Sequence, residues 1–531
     1  MMSLYCFDII MNMRSYSKPE KCRKYINIFT LSFFISIFTI SICYAEKTLI
    51  NTKGITIEGG LDIGGAAFFL PNDNFGGNSY VLHPSGRYSA NKNVTYAELY
   101  GRPMLSGLWD PGLGFKVFGL ASAIGSTTVG DGDGESLSQT SGTPRAITLE
   151  DANIGVEIPI SIGGGHQKLI IQGGRQRFQI DDGFLVGKGT YSAGSRGAWW
   201  YAPRIAFSGP GVIKFEGSNI RADVFMLENN TNNVQNMNYD RPQTKFEGFD
   251  ISWFRNKPHG NGGSVFEDRS AYVTLIYFHV RKADTSSHYD YATRADRDGM
   301  NVAALSWGGT LFPVKKFGID KNFTFYGHFT AEENSHAGNG YQSVEAYGMF
   351  FEPDYTFSML PWSPHLFYRY TRLSGNKNPT GTVKRGYDTF FLYDGRRYTY
   401  GGYWPGEIVG LYLAPLSDLE IHQFDLTATP PFHLIHNADQ MKLGVHFYDL
   451  SLIYPSGMGL KANTGRHISN EVDFTAEYSL DPTTSVAVAS GVAFSGPAGR
   501  ALSRAGVPNG EIMPKIGRYA GTLEMYFYKH F

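Results

Sequence analysis

Cysteine is almost missing from this sequence. Its three copies, Cys6, Cys22 and Cys43, all fall within the first 45 residues. The rest of the chain therefore forms neither a disulfide nor a cysteine-ligated metal site. Charge is scarce as well, at 18 % of residues. Past residue 45 no unbroken apolar run reaches the roughly 18 residues of a membrane-spanning helix, so a membrane position requires spanning by strands. Helical spacing of apolar residues is sustained nowhere, and no Pro-rich linker or low-complexity segment divides the chain. A single domain over residues 46–531 is the expectation.

The first 45 residues read as a targeting segment. Arg14, Lys18, Lys21, Arg23 and Lys24 precede an apolar run from Ile26 to Ile42, and the segment ends Cys43-Tyr44-Ala45. Small residues around Tyr44 suit signal-peptide cleavage before Glu46. The run is shorter than the about 20 residues of a membrane anchor. Removing five basic and two acidic residues with it turns the formal net charge from −1 to −4. That near-neutral balance gives no reason to expect a nucleic-acid partner.

What the chain has in quantity is aromatic residues, 15 %, and glycine, 63 copies. Apolar and polar residues alternate with a period of two, as in Ile55, Ile57, Leu61 and Ile63 against Thr56, Glu58, Gly60 and Asp62. That is the pattern of a strand with one apolar and one polar face. Strands are expected near 54–70, 95–108, 113–126, 146–160, 168–180, 198–208, 212–228, 244–255, 265–283, 299–312, 322–333, 342–352, 364–374, 418–429, 440–450, 467–480, 484–495 and 517–531. Their number is even, eighteen. Long polar connections alternate with tight ones such as Trp109-Asp110-Pro111-Gly112, Gly209-Pro210-Gly211 and Asp481-Pro482. This asymmetry predicts an all-β transmembrane antiparallel up-and-down barrel, short turns on the periplasmic side, long loops outside, in the outer membrane of a Gram-negative cell. The last strand closes on Phe531, with Lys529 placed to snorkel at the rim.

Arginines recur on faces expected to point inward: Arg102, Arg175, Arg177, Arg221, Arg281 and Arg369, with Arg204 beside Trp199 and Trp200. Guanidinium groups facing hydrocarbon cost several kcal/mol. In Gly174-Arg175-Gln176-Arg177-Phe178 both arginines share a strand face. Keeping that face inward calls for a bulge at Gly173-Gly174. Asp181 and Asp182 follow where this strand meets its loop. Such a set of charges favours anions in a narrow pore. It equally serves to brace the wall, by pairing with Glu98, Asp223, Glu471 and Asp473.

Gly174 to Gly183, G-R-Q-R-x-x-x-D-D-G, resembles the signature of the alginate-export outer-membrane proteins. Arg297-Asp298-Gly299, the stretch Pro364 to Gly375, and Asn470-Glu471-Val472-Asp473-Phe474 running on to Ser495-Gly496-Pro497 resemble further pieces of that family in order, across roughly residues 170–496. The resemblance implies an 18-stranded barrel with an arginine-rich pore that passes an anionic polysaccharide or oligosaccharide passively, with no cofactor. Its partners would be the saccharide, outer-membrane lipid and the barrel-assembly machinery, with periplasmic secretion components left open. A general carbohydrate or small-solute porin is the alternative within pores. A barrel-scaffolded enzyme or adhesin is the alternative outside them.

Other motifs have plainer readings. Trp199 and Trp200 suit a membrane-interface girdle, although stacking on sugar rings is the rival use. The longest connection, 375–417, carries Tyr387, Phe390 and further aromatics, and serves either as an inward-folded lid or as a solvated loop. Asp131-Gly132-Asp133-Gly134-Glu135 lacks the spacing and distal Glu of a full calcium loop. His279, His328, His365 and His446 lie on separate strands without metal-ligand spacing. No nucleophile elbow, zinc-binding helix or phosphate loop is present, so no enzyme is expected.

Overall fold

The computed structural model describes residues 47–531 except 78–79, 83–87, 91–92, 132–143, 163–164, 190–196, 199, 202, 230–243, 256–270, 284–293, 311–321, 337–341, 391, 393–404, 411–412, 415, 436–438 and 506–514. The expected signal segment, 1–45, and most of the calcium-like stretch lie outside the described residues.

In chain order the strands are β1 (Lys47–Thr52), β2 (Ile55–Pro71), β3 (Tyr80–Leu82), β4 (Tyr88–Ala90), β5 (Asn93–Trp109), β6 (Lys116–Gly130), β7 (Arg145–Ile162), β8 (Gly165–Arg175), β9 (Ser208–Glu216), β10 (Ile220–Glu228) and β11 (Thr244–Phe254). They continue with β12 (Tyr272–Ala283), β13 (Asn301–Gly308), β14 (Phe323–Asn334), β15 (Ser343–Thr356), β16 (His365–Leu373), β17 (Val383–Lys384), β18 (Leu419–Ala428), β19 (Gln440–Leu452), β20 (His467–Asp481), β21 (Thr484–Ser495) and β22 (Tyr519–His530). Eighteen of them, all but β1, β3, β4 and β17, pair antiparallel with both neighbours round a closed ring. The seam joins β22 to β2 from Asp62↔His530 to Phe69↔Leu523. Leu61 and Phe531 then exchange backbone hydrogen bonds of 3.1 and 2.9 Å beyond it. Closure leaves no ring strand with an open edge, which is what lets a sheet cross hydrocarbon.

Side-chain direction follows the pleat. On β12, Tyr272, Thr274, Ile276, Phe278 and Val280 are buried inside, while Val273, Leu275 and Tyr277 are exposed outside. The same outward face carries Ile154, Ile171, Ile213, Val224, Ile251, Leu305, Phe329, Phe351, Phe424, Phe474 and Leu523 on other strands. Exposed apolar residues all round a closed barrel, with buried Asp, Glu and Arg within, are the inverse of a water-soluble protein. The barrel spans the outer membrane with its strands.

Strand number matches expectation, but two offsetting differences lie behind it. The described residues of 198–207 form no wall strand; they lie inside the barrel, held by Glu98 and Glu150. The segment expected as one strand over 212–228 is instead the hairpin β9–β10, closed by the Gly217 N–H to Ile220 carbonyl bond of 2.8 Å. Gly209-Pro210-Gly211, expected as a turn, sits within β9, with φ of 127° at Gly209 and 147° at Gly211. Pairing of β9 with β10 slips by one residue there, so these glycines make a bulge. At the true tight turns a side chain caps the backbone, Asp481 Oδ1 accepting from Thr483 N–H at 2.7 Å and Asp110 Oδ1 from Gly112 N–H at 2.9 Å. Lys529 does snorkel: its Nζ reaches Thr484 Oγ1 at 2.6 Å and Thr483 Oγ1 at 3.0 Å in the β20–β21 turn.

Candidate functional site: the narrowed lumen

Two of the long connections fold into the barrel. The first, 176–207, begins on the inner face of β10–β12, where Phe178, Ile180, Leu185 and Val186 pack on Phe225, Leu227, Phe246, Ile276 and Phe278. Asp181 reaches further round, accepting hydrogen bonds from Thr274 Oγ1 at 2.8 Å and from Ser306 Oγ. The segment then returns along β5–β7, held by two buried wall carboxylates. Glu98 accepts the N–H groups of Trp200 (3.2 Å) and Tyr201 (2.7 Å), and Glu150 those of Ile205 (2.8 Å) and Ala206 (2.9 Å).

The second connection, 374–418, is held the same way. Glu471 accepts N–H groups from Ile408 at 2.7 Å and Val409 at 2.9 Å, and Asp473 accepts from Glu407 at 3.0 Å. Gly406 is needed at this approach, since it has φ 97° and a Cβ there would stand 2.4 Å from Glu471. Nearer the start of the loop, Asp388 forms a two-point pair with Arg297, and its own N–H goes to Glu332 at 3.0 Å. The two loops meet where the Phe184 and Tyr387 rings stack at 6.5 Å. Of the two readings of this connection, its described parts fit the inward-folded one, being fastened to the wall from within. Its residues 393–404, with most of the aromatics expected there, lie outside the described residues.

This second layer fixes what the arginines do. Arg102 faces inward and pairs with Asp62, Nε to Oδ2 3.2 Å. Arg221 lies between Asp223 at 3.2 Å and Asp250 at 3.7 Å. Arg369 is buried against Glu352 at 2.5 Å, and against Gln423. Arg204 is buried on the inner segment and donates to Thr148 at 2.7 Å and Ser126 at 2.9 Å. Arg175 also ends inside. The ladder to β7 runs through Gly173 and Gly174 without a slip, so the expected bulge is absent from it. A φ of 99° at Gly174 accompanies the turn, and Arg175 Nε then donates to the Glu150 carbonyl at 2.7 Å.

Arg177 differs from these. Strand β8 ends at Arg175, so Arg177 is not on the wall. Its neighbours Gln176 and Phe178 are buried, with Phe178 against the wall at Phe225 (ring centroids 5.0 Å), and Arg177 between them is exposed. It makes no hydrogen bond or ion pair with the described residues. Arg281 departs from expectation in the other direction. It shares the outward face of β12 with Leu275 and Tyr277, is 56 % exposed, and pairs with Glu247 at 3.4 Å near the long-loop end. At that end of the strand an outward arginine stands beyond the apolar band. Asp182 serves its own turn, accepting the Phe184 N–H at 3.1 Å.

Bracing by carboxylates is thus what most of these arginines do, though with other partners than expected. Asp223 does pair with an arginine, whereas Glu98, Glu471 and Asp473 hold loop backbone instead. Trp200 is no girdle residue: it packs inside the barrel against the cluster of Ala66, Phe68, Leu70, Val94 and Tyr96. Trp199 lies outside the described residues. No group of three His, Cys, Asp or Glu suited to a metal ion occurs among the described residues.

No known family model matches the chain, and no curated protein matches it in sequence. Solved structures do match. The barrel fold is shared with them. OccAB1 of Acinetobacter baumannii superposes with a TM-score of 0.50 at 9 % identity, covering 90 % of this chain and 96 % of that one. OccAB4 of the same organism gives 0.47 at 10 %, covering 90 % and 98 %. The outer-membrane protein OpdK of Pseudomonas aeruginosa gives 0.47 at 8 %, covering 89 % and 98 %. The alginate-export resemblance rests on its motifs alone.

Proposed function

We propose that this barrel is a passive channel for small solutes, narrowed from within, rather than a conduit for a polysaccharide. The observation that carries this reading is the pair of inward loops fastened to buried wall carboxylates, because loops so placed take up lumen space that a polymer needs. Pinning by Glu98, Glu150, Glu471 and Asp473 means the loops are part of the resting structure. The arginine argument for an anionic cargo narrows to Arg177, the one predicted arginine that is exposed and has no carboxylate partner among the described residues. A preference for anions is expected to reside there. In a planar bilayer, purified protein should give small, steady single-channel steps. Absence of any conductance would overturn the channel reading and favour a barrel-scaffolded enzyme or adhesin.

A further inference from the structure

One part of the lumen is neither charged bracing nor apolar packing. Tyr100 on β5, Tyr526 and Tyr528 on β22, and Tyr201 on the inner segment lie together on the wall made by β22, β2 and β5. Tyr201 is the centre, its ring 4.8 Å from that of Tyr100 and 6.0 Å from that of Tyr526. Two bonds hold it: its N–H to Glu98 at 2.7 Å and its hydroxyl to the Phe527 carbonyl at 3.0 Å. Behind the rings stands Gly64, where a Cβ would meet Tyr100 at 2.0 Å and Tyr201 at 2.8 Å. Only a residue without a side chain lets both rings lie against the strand. Beyond Tyr526, Phe68 meets it edge-on at 5.5 Å and stacks on Tyr96 at 4.3 Å.

All four tyrosines are only partly buried, which leaves part of each side chain accessible. Polar groups flank them. Tyr528 donates to Asp62 at 3.0 Å, beside Arg102 and His530, and Tyr526 donates to Glu524 at 2.6 Å. Tyr100's hydroxyl has no partner among the described residues.

We infer that this patch is a contact site for the pyranose ring of a small neutral sugar. The inference rests on the channel reading above and names a solute class for it. Aromatic faces cover the C–H side of a sugar ring, while hydroxyl and carboxylate groups at the margin exchange hydrogen bonds with its hydroxyls. A plain aromatic solute would use the faces and waste the margin. Fixed rings lose little conformational freedom on contact, which suits fast, weak binding in a channel.

The test is block of ion current by added solute in a planar bilayer, with D-glucose and maltose set against acyclic sorbitol and against benzoate. Current that is blocked by glucose and maltose at concentrations where sorbitol has no effect is the expected result. Tyr100→Phe should keep this block, and Tyr100→Leu should weaken it about tenfold. Equal block by sorbitol, preferential block by benzoate, or block unaltered in Tyr100→Leu overturns the sugar site while leaving the channel intact. A chain that conducts nothing overturns the channel reading itself, and the sugar site with it. Glucose against sorbitol needs no variant, so the comparison stands even where a substituted barrel fails to assemble.

Discussion

Arg297 and Asp388 form a two-point ion pair inside the barrel, Nε to Oδ2 2.7 Å and the second guanidinium nitrogen to Oδ1 2.6 Å, with both side chains 1 % exposed. It ties helix α1 (Arg294–Arg297), at the approach to β13, to the inward loop 374–418. The Phe390 ring lies over the same guanidinium at 4.7 Å.

Breaking a buried pair from one side strands a charge, at a cost of about 3–5 kcal/mol. Asp388→Ala is therefore expected to loosen the loop while the closed ring of strands survives. Heat-modifiable gel mobility should stay that of a folded barrel. Single-channel conductance should rise and become noisy, and an unchanged trace would show that the pair does not hold the constriction.

Glu471 fastens the same loop at its far end. Glu471→Ala removes both acceptors of the Ile408 and Val409 N–H groups, each such charged bond contributing about 1.5–3 kcal/mol. Limited proteolysis should then cut near residues 405–410, a stretch that ought to resist protease in the wild-type protein. Equal resistance in both would contradict the anchoring role.

Arg177 and Arg369 should separate selectivity from stability. Arg177→Glu is expected to shift reversal potential toward cations in a salt gradient with little change in melting behaviour, since the side chain has no partner to lose among the described residues. Arg369→Met should lower thermal stability by leaving Glu352 uncompensated, again on the order of 3–5 kcal/mol. Reversed outcomes would mean that their roles have been exchanged.

Asp418, in the loop just ahead of β18, has its carboxyl pushed up to about 7 by burial, against the Tyr454 N–H at 2.9 Å and the positive charges of Arg466 and Arg372, which pull it down. A carboxyl raised on folding binds more protons folded than unfolded, so its contribution to stability falls as pH rises from about 4 to about 7. Asp418→Asn should flatten that part of the melting profile and stabilise the protein at pH 8. Asn also tolerates the φ of 56° found here. A profile identical to wild type would remove Asp418 from the account.

The barrel was legible because alternation of period two is forced on any wall with lipid on one face, and turn chemistry at Asp110 and Asp481 is local. The inner layer was not. Residues 198–207 alternate well enough to pass for a strand, and only the contacts of Glu98 and Glu150 with their backbone show otherwise. Gly209-Pro210-Gly211 reads as a turn because glycine serves turns and bulges alike. The anchoring carboxylates were visible as acids on inward faces. Their partners are main-chain N–H groups, which carry no residue signature. Arg281 was misplaced because alternation gives two faces without saying where along the strand the apolar band stops.

Liposome swelling with a graded series of uncharged solutes, before and after replacing residues 386–416 with a short Gly-Ser linker, tests the central claim most directly. A channel narrowed by its own loops admits monosaccharides and excludes larger oligosaccharides until the loop is removed, whereupon the cut-off rises. A wild-type barrel that already admits large oligosaccharides, with no change on loop removal, would contradict it.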